Sequence, residues 1–158
     1  MHLEFSTIKF KVVATLHKLS ETFLLKPQFQ HRGCSTAVTL KTSDGKFVRV
    51  KQSGKSLNQN QTDYVGGMME KPYPLLTGDD LFKHLYREVK EETNLHQADF
   101  NDLYLESATL QYRGNIIFRF VGELKLTQAE IEDQYKRQKQ KDEDIERLVF
   151  IESNKKSH

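Results

Sequence analysis

The sequence has few of the residues that build disulfide frameworks, metal cages or membrane spans. It contains one cysteine, Cys34, which excludes an internal disulfide and a zinc site built on several cysteines. Its apolar runs are all shorter than the about 18 residues that a membrane helix needs. The first residues lack a basic stretch followed by an apolar one, so we expect no secretory signal. These absences predict a cytoplasmic protein that makes no use of a membrane.

Charge of either sign is not in large excess. The 158 residues carry 24 Lys and Arg against 22 Asp and Glu, a net charge of +2. Without a basic stripe interleaved with aromatics, this balance disfavours a nucleic-acid partner. Ten Phe and six Tyr can still build a core, and the length suits one domain better than two. We therefore expect residues 1–158 to form a single domain.

The order of the predicted elements is typical of an α/β domain. Strands are expected over residues 3–16, 37–41, 46–52, 103–113 and 115–126. Asp44-Gly45 indicates a hairpin turn, and residues 63–67 form a short strand that ends in a double glycine. A charged helix is expected over about 127–142, and residues 148–151 begin a last strand or helix. This order predicts an α/β sandwich around a mixed sheet.

The central helix is expected from about Asp79 to Thr93. Its apolar stripe repeats at a spacing of four, with Leu81, Leu85 and Val89. Asp79 or Asp80 is expected to cap the first turn, where an acid also suits the helix dipole. Asn94 follows the last turn, where the chain commonly adopts a left-handed conformation.

Three acids of this helix point to metal chemistry. Glu88, Glu91 and Glu92 stand at i, i+3 and i+4, so their carboxylates project from one face. Bare carboxylates this close repel one another, whereas Mg²⁺ takes oxygen ligands and shares its coordination sphere with substrate phosphates. Arg87 is placed to orient one of these carboxylates through a charge-assisted hydrogen bond. The alternative is a solvated face of mixed charge, which is what most Glu-rich helices have.

Residues Gly66 to Leu95 resemble the Nudix box, Gx5Ex7REUxEExGU, in which U is a bulky aliphatic residue. From Arg87 the chain reads REVKEETNL, which departs from the pattern only where Asn94 replaces a glycine. The first acid of the box falls on Asp79 instead of a glutamate. The first glycine of the box falls on Tyr73, six residues after Gly67, which predicts a six-residue insertion within residues 68–78.

This resemblance implies a Nudix-type α/β/α sandwich, with the box helix packed on a mixed sheet. It also implies hydrolysis of a small molecule, a nucleoside diphosphate linked to another moiety, with Mg²⁺ or Mn²⁺ as the cofactor. On the same resemblance, Arg87 would orient the ligands and the Gly67 carbonyl would be a further ligand. The metal ligands themselves would be Glu88, Glu91 and Glu92. The family also makes a homodimer a reasonable expectation.

Residues outside the helix complete the predicted site. The general base is either Glu92 or an acid of a later loop, Glu143 or Asp144, because a positioned carboxylate can take the proton of the attacking water. Cations upstream of the box are candidates to hold the distal phosphate, although each is more often a solvated surface charge. These cations are Arg49, Lys51 and Lys55.

The remaining polar and aromatic candidates are given structural interpretations. His84 is interpreted as a surface histidine, and Cys34 as a buried or idle thiol. Core packing is expected for three tyrosines that could otherwise stack on a base, namely Tyr64, Tyr86 and Tyr112. The six histidines have no paired ligand spacing, so zinc is not expected.

Two questions stay open at the level of sequence. The long loop after the double glycine and the strand, helix and strand after the box resemble the Nudix enzymes that cleave UDP-glucose and UDP-galactose. This favours a nucleotide sugar, with nucleoside triphosphates, ADP-ribose and capped RNA as alternatives. The alternative function is a weakly active or inactive Nudix module that binds nucleotides for regulation. Metal-dependent turnover distinguishes an enzyme from such a module.

Overall fold

The computed structural model describes residues 34–55, 60–69, 77–110, 116–139 and 141–152. The strand expected over residues 3–16 and Tyr112 lie outside these ranges. The described strands are β1 (Cys34–Lys41), β2 (Lys46–Gln52), β3 (Thr62–Asp63), β4 (Phe100–Leu110), β5 (Ile116–Leu124) and β6 (Ile145–Glu152). The described helices are α1 (Gly78–Thr93), α2 (Gln128–Lys136) and a 3₁₀ turn over Gln97–Asp99. No helix in these ranges is long and apolar enough to cross a membrane.

The strands form one mixed sheet, as predicted. Its order is β3-β2-β1-β5-β4, and β6 pairs with β2. β1 and β5 run parallel, from Cys34 beside Ile116 to Lys41 beside Glu123, whereas the other strand pairs are antiparallel. The β1–β2 hairpin turns at Gly45, whose φ of 85° favours glycine.

Residues 65–69, which we call the glycine segment, join the sheet beside β1. β3 first pairs with β2, and the chain then crosses to β1. The Val38 N–H donates to the Val65 carbonyl at 2.8 Å, and the Thr36 N–H donates to the Gly67 carbonyl at 3.0 Å. The double glycine is therefore held by the sheet itself, directly under the site described below.

The core lies between the sheet and α1. The apolar stripe of α1 is buried there as predicted, and Phe82 packs edge-to-face on Phe120 with ring centroids 5.2 Å apart. Tyr86 packs on Phe100 in the same way at 5.6 Å, which agrees with its expected role. Burial of these side chains is the main force that fixes α1 on the sheet.

Several expected boundaries were wrong. β1 begins at Cys34 and β4 at Phe100, each three residues before its expected start. Three other boundaries differ for a clear physical reason. The N-cap of α1 is Thr77, not Asp79 or Asp80, because Thr77 and Asp80 form a reciprocal capping box. The second helix does begin with its predicted capping box at Thr127, but it ends at Lys136 and not near residue 142. The last strand extends from Ile145 to Glu152, since it pairs along the whole length of β2.

Candidate active site around the double glycine and helix α1

The three glutamates of α1 have unequal environments. Glu92 is only 7% exposed, because it follows Val89 by three residues and continues the buried stripe. The Glu88 side chain is 15% exposed and that of Glu91 is 56% exposed. The helical spacing therefore places the acids on a gradient from core to solvent, and not on one uniformly exposed face.

Gly66 binds Glu92, the most buried of the three acids. Its backbone N–H donates to the Glu92 Oε2 atom at 3.0 Å. Gly66 has a φ of 140°, and a Cβ atom there would collide with the Thr36 carbonyl and lie 2.9 Å from the Ala37 Cα atom. Only glycine satisfies both the conformation and the close approach to β1.

Gly67 is required for a different reason. A Cβ atom on Gly67 would overlap the Glu88 Oε2 atom, so the missing side chain makes room for this carboxylate. The Gly67 carbonyl accepts the Thr36 N–H at 3.0 Å and lies 3.2 Å from the His84 Nε2 atom. Both acceptor positions of this carbonyl are thus engaged by protein groups.

His84 links the glycine segment to the acids, and its interpretation as a surface histidine was wrong. It is buried, and because a carbonyl can only accept, its Nε2 atom must carry the proton donated to Gly67. Its Nδ1 atom lies 3.2 Å from the Arg87 Nη2 atom, which can only donate, and 3.6 Å from the Glu88 Oε1 atom. The same Arg87 atom donates to the Glu88 Oε1 atom at 2.9 Å.

Arg87 contacts two of the three glutamates of α1. Besides its 2.9 Å contact with Glu88, its Nε atom is 3.9 Å from the Glu91 Oε1 atom. The guanidinium bridges Glu88 and Glu91, and its positive charge offsets the repulsion between the two carboxylates.

The environment of Glu92 disfavours its ionised form. Burial raises the pKa of Glu92 to about 8, partly opposed by the Gly66 hydrogen bond. The charges of Glu88, Asp142 and Asp63 raise this pKa further. Sequence reasoning did not assign Asp63 or Asp142 to the site. The signals available were the position of Asp63 just before the double glycine and that of Asp142 at the start of the acidic run.

The two loop acids proposed as bases directly follow Asp142 in the chain. Glu143 and Asp144 are exposed, and the Lys55 Nζ atom is 3.0 Å from the Glu143 Oε2 atom. Ser53 anchors their backbone, with its hydroxyl donating to the Glu143 carbonyl at 2.8 Å and its N–H to the Asp144 carbonyl at 2.7 Å. The loop that carries Glu143 and Asp144 is thus hydrogen-bonded to the residue that follows β2.

The three candidate phosphate-binding cations differ in their partners. Lys51 lies 3.4 Å from Glu146, and Lys55 pairs with Glu143. Arg49 instead places its guanidinium 4.1 Å from the centre of the Tyr64 ring and donates to its neighbour's carbonyl at Val48. Tyr64 is 39% exposed, so its expected packing in the core was wrong.

Several solved structures that are similar to this chain are Nudix proteins. The Nudix hydrolase from Nitrosomonas europaea matches with a TM-score of 0.51 and 16% identity, over 77% of this chain and 73% of that chain. The Nudix domain of Shewanella oneidensis NrtR, complexed with ADP ribose, matches with a TM-score of 0.55 and 11% identity, over 84% and 82% of the two chains. This chain has the Nudix fold.

A third structure shows the same fold inside a larger protein. It is a bifunctional NMN adenylyltransferase/ADP ribose pyrophosphatase from Francisella tularensis, complexed with AMP and a manganese ion. It matches with a TM-score of 0.51 and 14% identity, over 90% of this chain and 40% of that chain. No family model and no curated protein matches the sequence.

The conformation of Asn94 shows how an asparagine can stand where the box has a glycine. Asn94 is left-handed, with φ of 60°, as a glycine at this position would be. Its Nδ2 atom donates to the Gln134 carbonyl at 2.7 Å, and the Gln134 side chain donates back to the Asn94 carbonyl at 2.7 Å. The asparagine therefore adds a link between α1 and α2 that a glycine would lack.

The acids are not arranged as a complete metal site in this conformation. Over the ranges the structure describes, no three His, Cys, Asp or Glu side chains are grouped to hold a metal ion. Glu88 is turned toward Arg87, and Glu91 extends into solvent. Metal binding by Glu88, Glu91, Glu92 and the Gly67 carbonyl therefore stays a prediction, and it requires these groups to change partners.

Proposed function

We propose that this protein is a metal-dependent Nudix pyrophosphohydrolase that cleaves a nucleoside diphosphate linked to another moiety. The observation that carries the proposal is the burial of Glu92 among further carboxylates. In the described part of the chain, no cationic side chain forms an ion pair with Glu92. A buried carboxylate beside other acids is costly without a cation, and this cost suits a site that binds one.

The donor chemistry fits Mg²⁺ or Mn²⁺. Glutamate carboxylates and a backbone carbonyl are hard oxygen ligands, and the proposed ligands include no thiolate or imidazole that would favour a softer ion. When bound, the metal would neutralise phosphate oxygens and lower the pKa of a water molecule. The Mn ion in the Francisella tularensis structure supports this choice of cofactor.

The residues of the chain then have separate roles. Glu92, Glu88 and Glu91 would hold the metal, and Arg87 would keep Glu88 in place through its 2.9 Å contact. One carboxylate would take the proton of the attacking water, either Glu92 or an acid of the loop, Glu143 or Asp144. The raised pKa of Glu92 makes it a stronger base once it is ionised.

Two observations bear on the identity of the second moiety, and they favour different candidates. The sequence after the box favours a nucleotide sugar, whereas the ligand of the Shewanella oneidensis Nudix domain favours ADP-ribose. A cytoplasmic location, one domain over residues 1–158 and a homodimer are proposed from the sequence in the same way.

A specific observation favours a second function, a module that binds nucleotides without hydrolysing them. His84 engages the Gly67 carbonyl, and Arg87 engages Glu88, so two of the proposed ligands already have protein partners. A module of this kind would keep the fold and lose turnover. Activity measurements decide between the two functions.

The test is a phosphate-release assay on purified protein with Mg²⁺ or Mn²⁺ and a coupled phosphatase. The panel contains UDP-sugars, ADP-ribose, dinucleoside polyphosphates and nucleoside triphosphates. The variants are Glu91→Gln and Glu92→Gln, and the matched control is Glu106→Gln, an exposed glutamate of β4. Metal-dependent turnover that is lost in the first two and kept in the control supports the hydrolase. Binding of a nucleotide without turnover would support the module instead.

A further inference from the structure

Two arginines from non-neighbouring strands converge on the ring of Tyr64. The Arg49 Cζ atom lies 4.1 Å from the ring centre, and the Arg119 Cζ atom lies 5.8 Å from it. Arg49 belongs to β2 and Arg119 to β5, with β1 between these strands. Tyr64 stands where the chain leaves β2 and joins β1, so its ring can reach both side chains.

These three residues lie on the face of the sheet opposite α1. Arg49 alternates with the buried Val48 and Val50, and side chains alternate between the two faces of a strand. Arg119 alternates in the same way with Phe118 and Phe120. Tyr64 precedes the buried Val65, and the residue of β1 paired with Arg119 is the small Ala37.

The charge of this pair is not neutralised within the described residues. No carboxylate there lies within ion-pair distance of Arg49 or Arg119, although Lys51 and Lys55 both have such partners. The tyrosine ring attracts both guanidiniums through its electron-rich face, but it carries no charge. Two half-buried guanidiniums brought to one ring, with no described carboxylate at ion-pair distance, are suited to an anion with several oxygens, such as a phosphate.

We propose that Arg49 and Arg119 form a phosphate subsite separate from the carboxylates of α1, and that the Tyr64 ring positions them. The subsite would take a phosphate of the substrate that lies beyond the bond to be cleaved. This favours a substrate of the polyphosphate class, or one whose second moiety carries its own phosphate, over a nucleotide with a neutral sugar. The link to cleavage rests on the proposed hydrolase function, whereas phosphate binding itself does not.

The distance along the chain agrees with a shared substrate. Tyr64 precedes Gly66 by two residues, about 7 Å along a strand, and Gly66 holds Glu92. Asp63, which neighbours Tyr64, is close enough for its charge to raise the pKa of Glu92. The subsite and the acids therefore flank the same short segment of chain, with the arginines on the face of the sheet opposite α1.

The first test measures binding without catalysis. Inorganic tripolyphosphate is titrated into the full chain by calorimetry in buffer with EDTA, so that no metal contributes. The variants Arg49→Gln and Arg119→Gln are expected to bind at least about tenfold more weakly than the wild type, since each loses a charged hydrogen-bond donor. The matched control is Arg137→Gln, which removes one exposed arginine just after α2 that pairs with Asp133. Equal affinity in wild type and Arg119→Gln, or equal weakening in the control, would overturn the subsite.

The second test asks whether Tyr64 positions the arginines. Tyr64→Ala removes the ring and is expected to weaken tripolyphosphate binding as much as loss of one arginine. Tyr64→Phe keeps the ring and is expected to restore most of the affinity, because the attraction is to the aromatic face. If Tyr64→Phe binds as weakly as Tyr64→Ala, the hydroxyl and not the ring matters, and the positioning role is wrong. Thermal denaturation of each variant checks that the fold is retained.

The third test connects the subsite to the substrate. The ratio of kcat/KM for a nucleoside triphosphate to that for a UDP-sugar is expected to fall at least about tenfold in Arg119→Gln, mainly through KM. An unchanged ratio in an active enzyme would overturn the assignment of the substrate class while the hydrolase stands. Absence of all turnover, with arginine-dependent binding of tripolyphosphate, would keep the phosphate subsite and reject the hydrolase.

Discussion

The carboxylate of Glu92 accepts the backbone N–H of Gly66 at 3.0 Å, across 26 residues of sequence. This contact joins the first glycine of the box region to its last acid. The six-residue insertion predicted within residues 68–78 would fall between the two. The Gly66–Glu92 contact ties the double glycine to α1 across that stretch of sequence.

The two glycines are expected to respond differently to alanine. Gly66→Ala forces a side chain into β1 at a positive φ, and we expect a loss of about 2 kcal/mol or more in the free energy of unfolding. Gly67→Ala displaces only the flexible Glu88 side chain, so we expect a stability loss under about 1 kcal/mol and a roughly 10- to 100-fold loss of metal affinity. Urea denaturation and Mn²⁺ binding by electron paramagnetic resonance measure the two effects. The same response to both substitutions would contradict the separate roles.

Stability is expected to depend on pH through Glu92. The folded-state pKa of Glu92 is about 8 against an ordinary value of 4.5, so between these values the folded chain holds a proton that the unfolded chain has released. With respect to Glu92, the free energy of unfolding is therefore highest below about pH 4.5. It falls by about 1.4 kcal/mol per pH unit as the pH rises to about 8, which makes a few kcal/mol in total.

This prediction is checked by urea denaturation without metal at pH 5, 6.5 and 8, for the wild type and Glu92→Gln. Glutamine keeps an acceptor for the Gly66 N–H but does not titrate, so the variant is expected to gain stability relative to wild type as pH rises. Mg²⁺ is expected to stabilise the wild type more at pH 8 than at pH 5, because ionised ligands bind the metal. A constant difference between the two proteins over this range would show that Glu92 ionises normally.

Asn94 is expected to contribute through both its conformation and its amide. Asn94→Gly keeps the left-handed conformation and loses the hydrogen bond to Gln134, for an expected cost of about 1 kcal/mol. Asn94→Ala also strains the backbone, which raises the expected cost to about 2 to 3 kcal/mol. Chemical denaturation of both variants gives the difference. If glycine, the residue of the family pattern, proves more stabilising than asparagine, the link to α2 contributes nothing.

The thiol of Cys34 is expected to react slowly. Burial raises its pKa to about 11, and its Sγ atom lies 3.4 Å from the Met69 sulfur. At pH 8 about one thiol in a thousand would be ionised, so we expect modification by Ellman's reagent to be at least about 100-fold slower than in the unfolded chain. Absorbance kinetics with and without guanidinium provide the comparison. Equally fast reaction in both states would mean that the thiol is accessible and ionised in the folded protein.

Local patterns predicted much of the fold. The spacing of Leu81, Leu85 and Val89 gave a buried helix face, and Asp44-Gly45 gave the hairpin, because both depend on periodicity and turn geometry within a few residues. The N-cap of α1 was missed because two acids and a threonine compete at the same helix start. The capping box at Thr77 and Asp80 is what decides it.

The site was predicted less completely, since its contacts join distant parts of the chain. The burial of Glu92 could have been predicted, because it extends the apolar stripe by one helical turn. His84 could not be placed from its neighbours in sequence, since its partner Gly67 belongs to another element. Tyr64 was misjudged for the same reason, because Arg49 and Arg119 reach it from strands that only the sheet topology brings near.

The pairing of the glycine segment with β1 separates the sequence motif from the working site. A synthetic peptide of residues 66–95 would contain every letter of the box, yet it would lack β1, which holds the double glycine in its backbone conformation. In that peptide Glu92 would be hydrated and would ionise near its ordinary pKa. The sequence motif is therefore not sufficient for the proposed metal binding and hydrolysis, because both depend on the assembled sheet. We expect the isolated peptide to show neither activity.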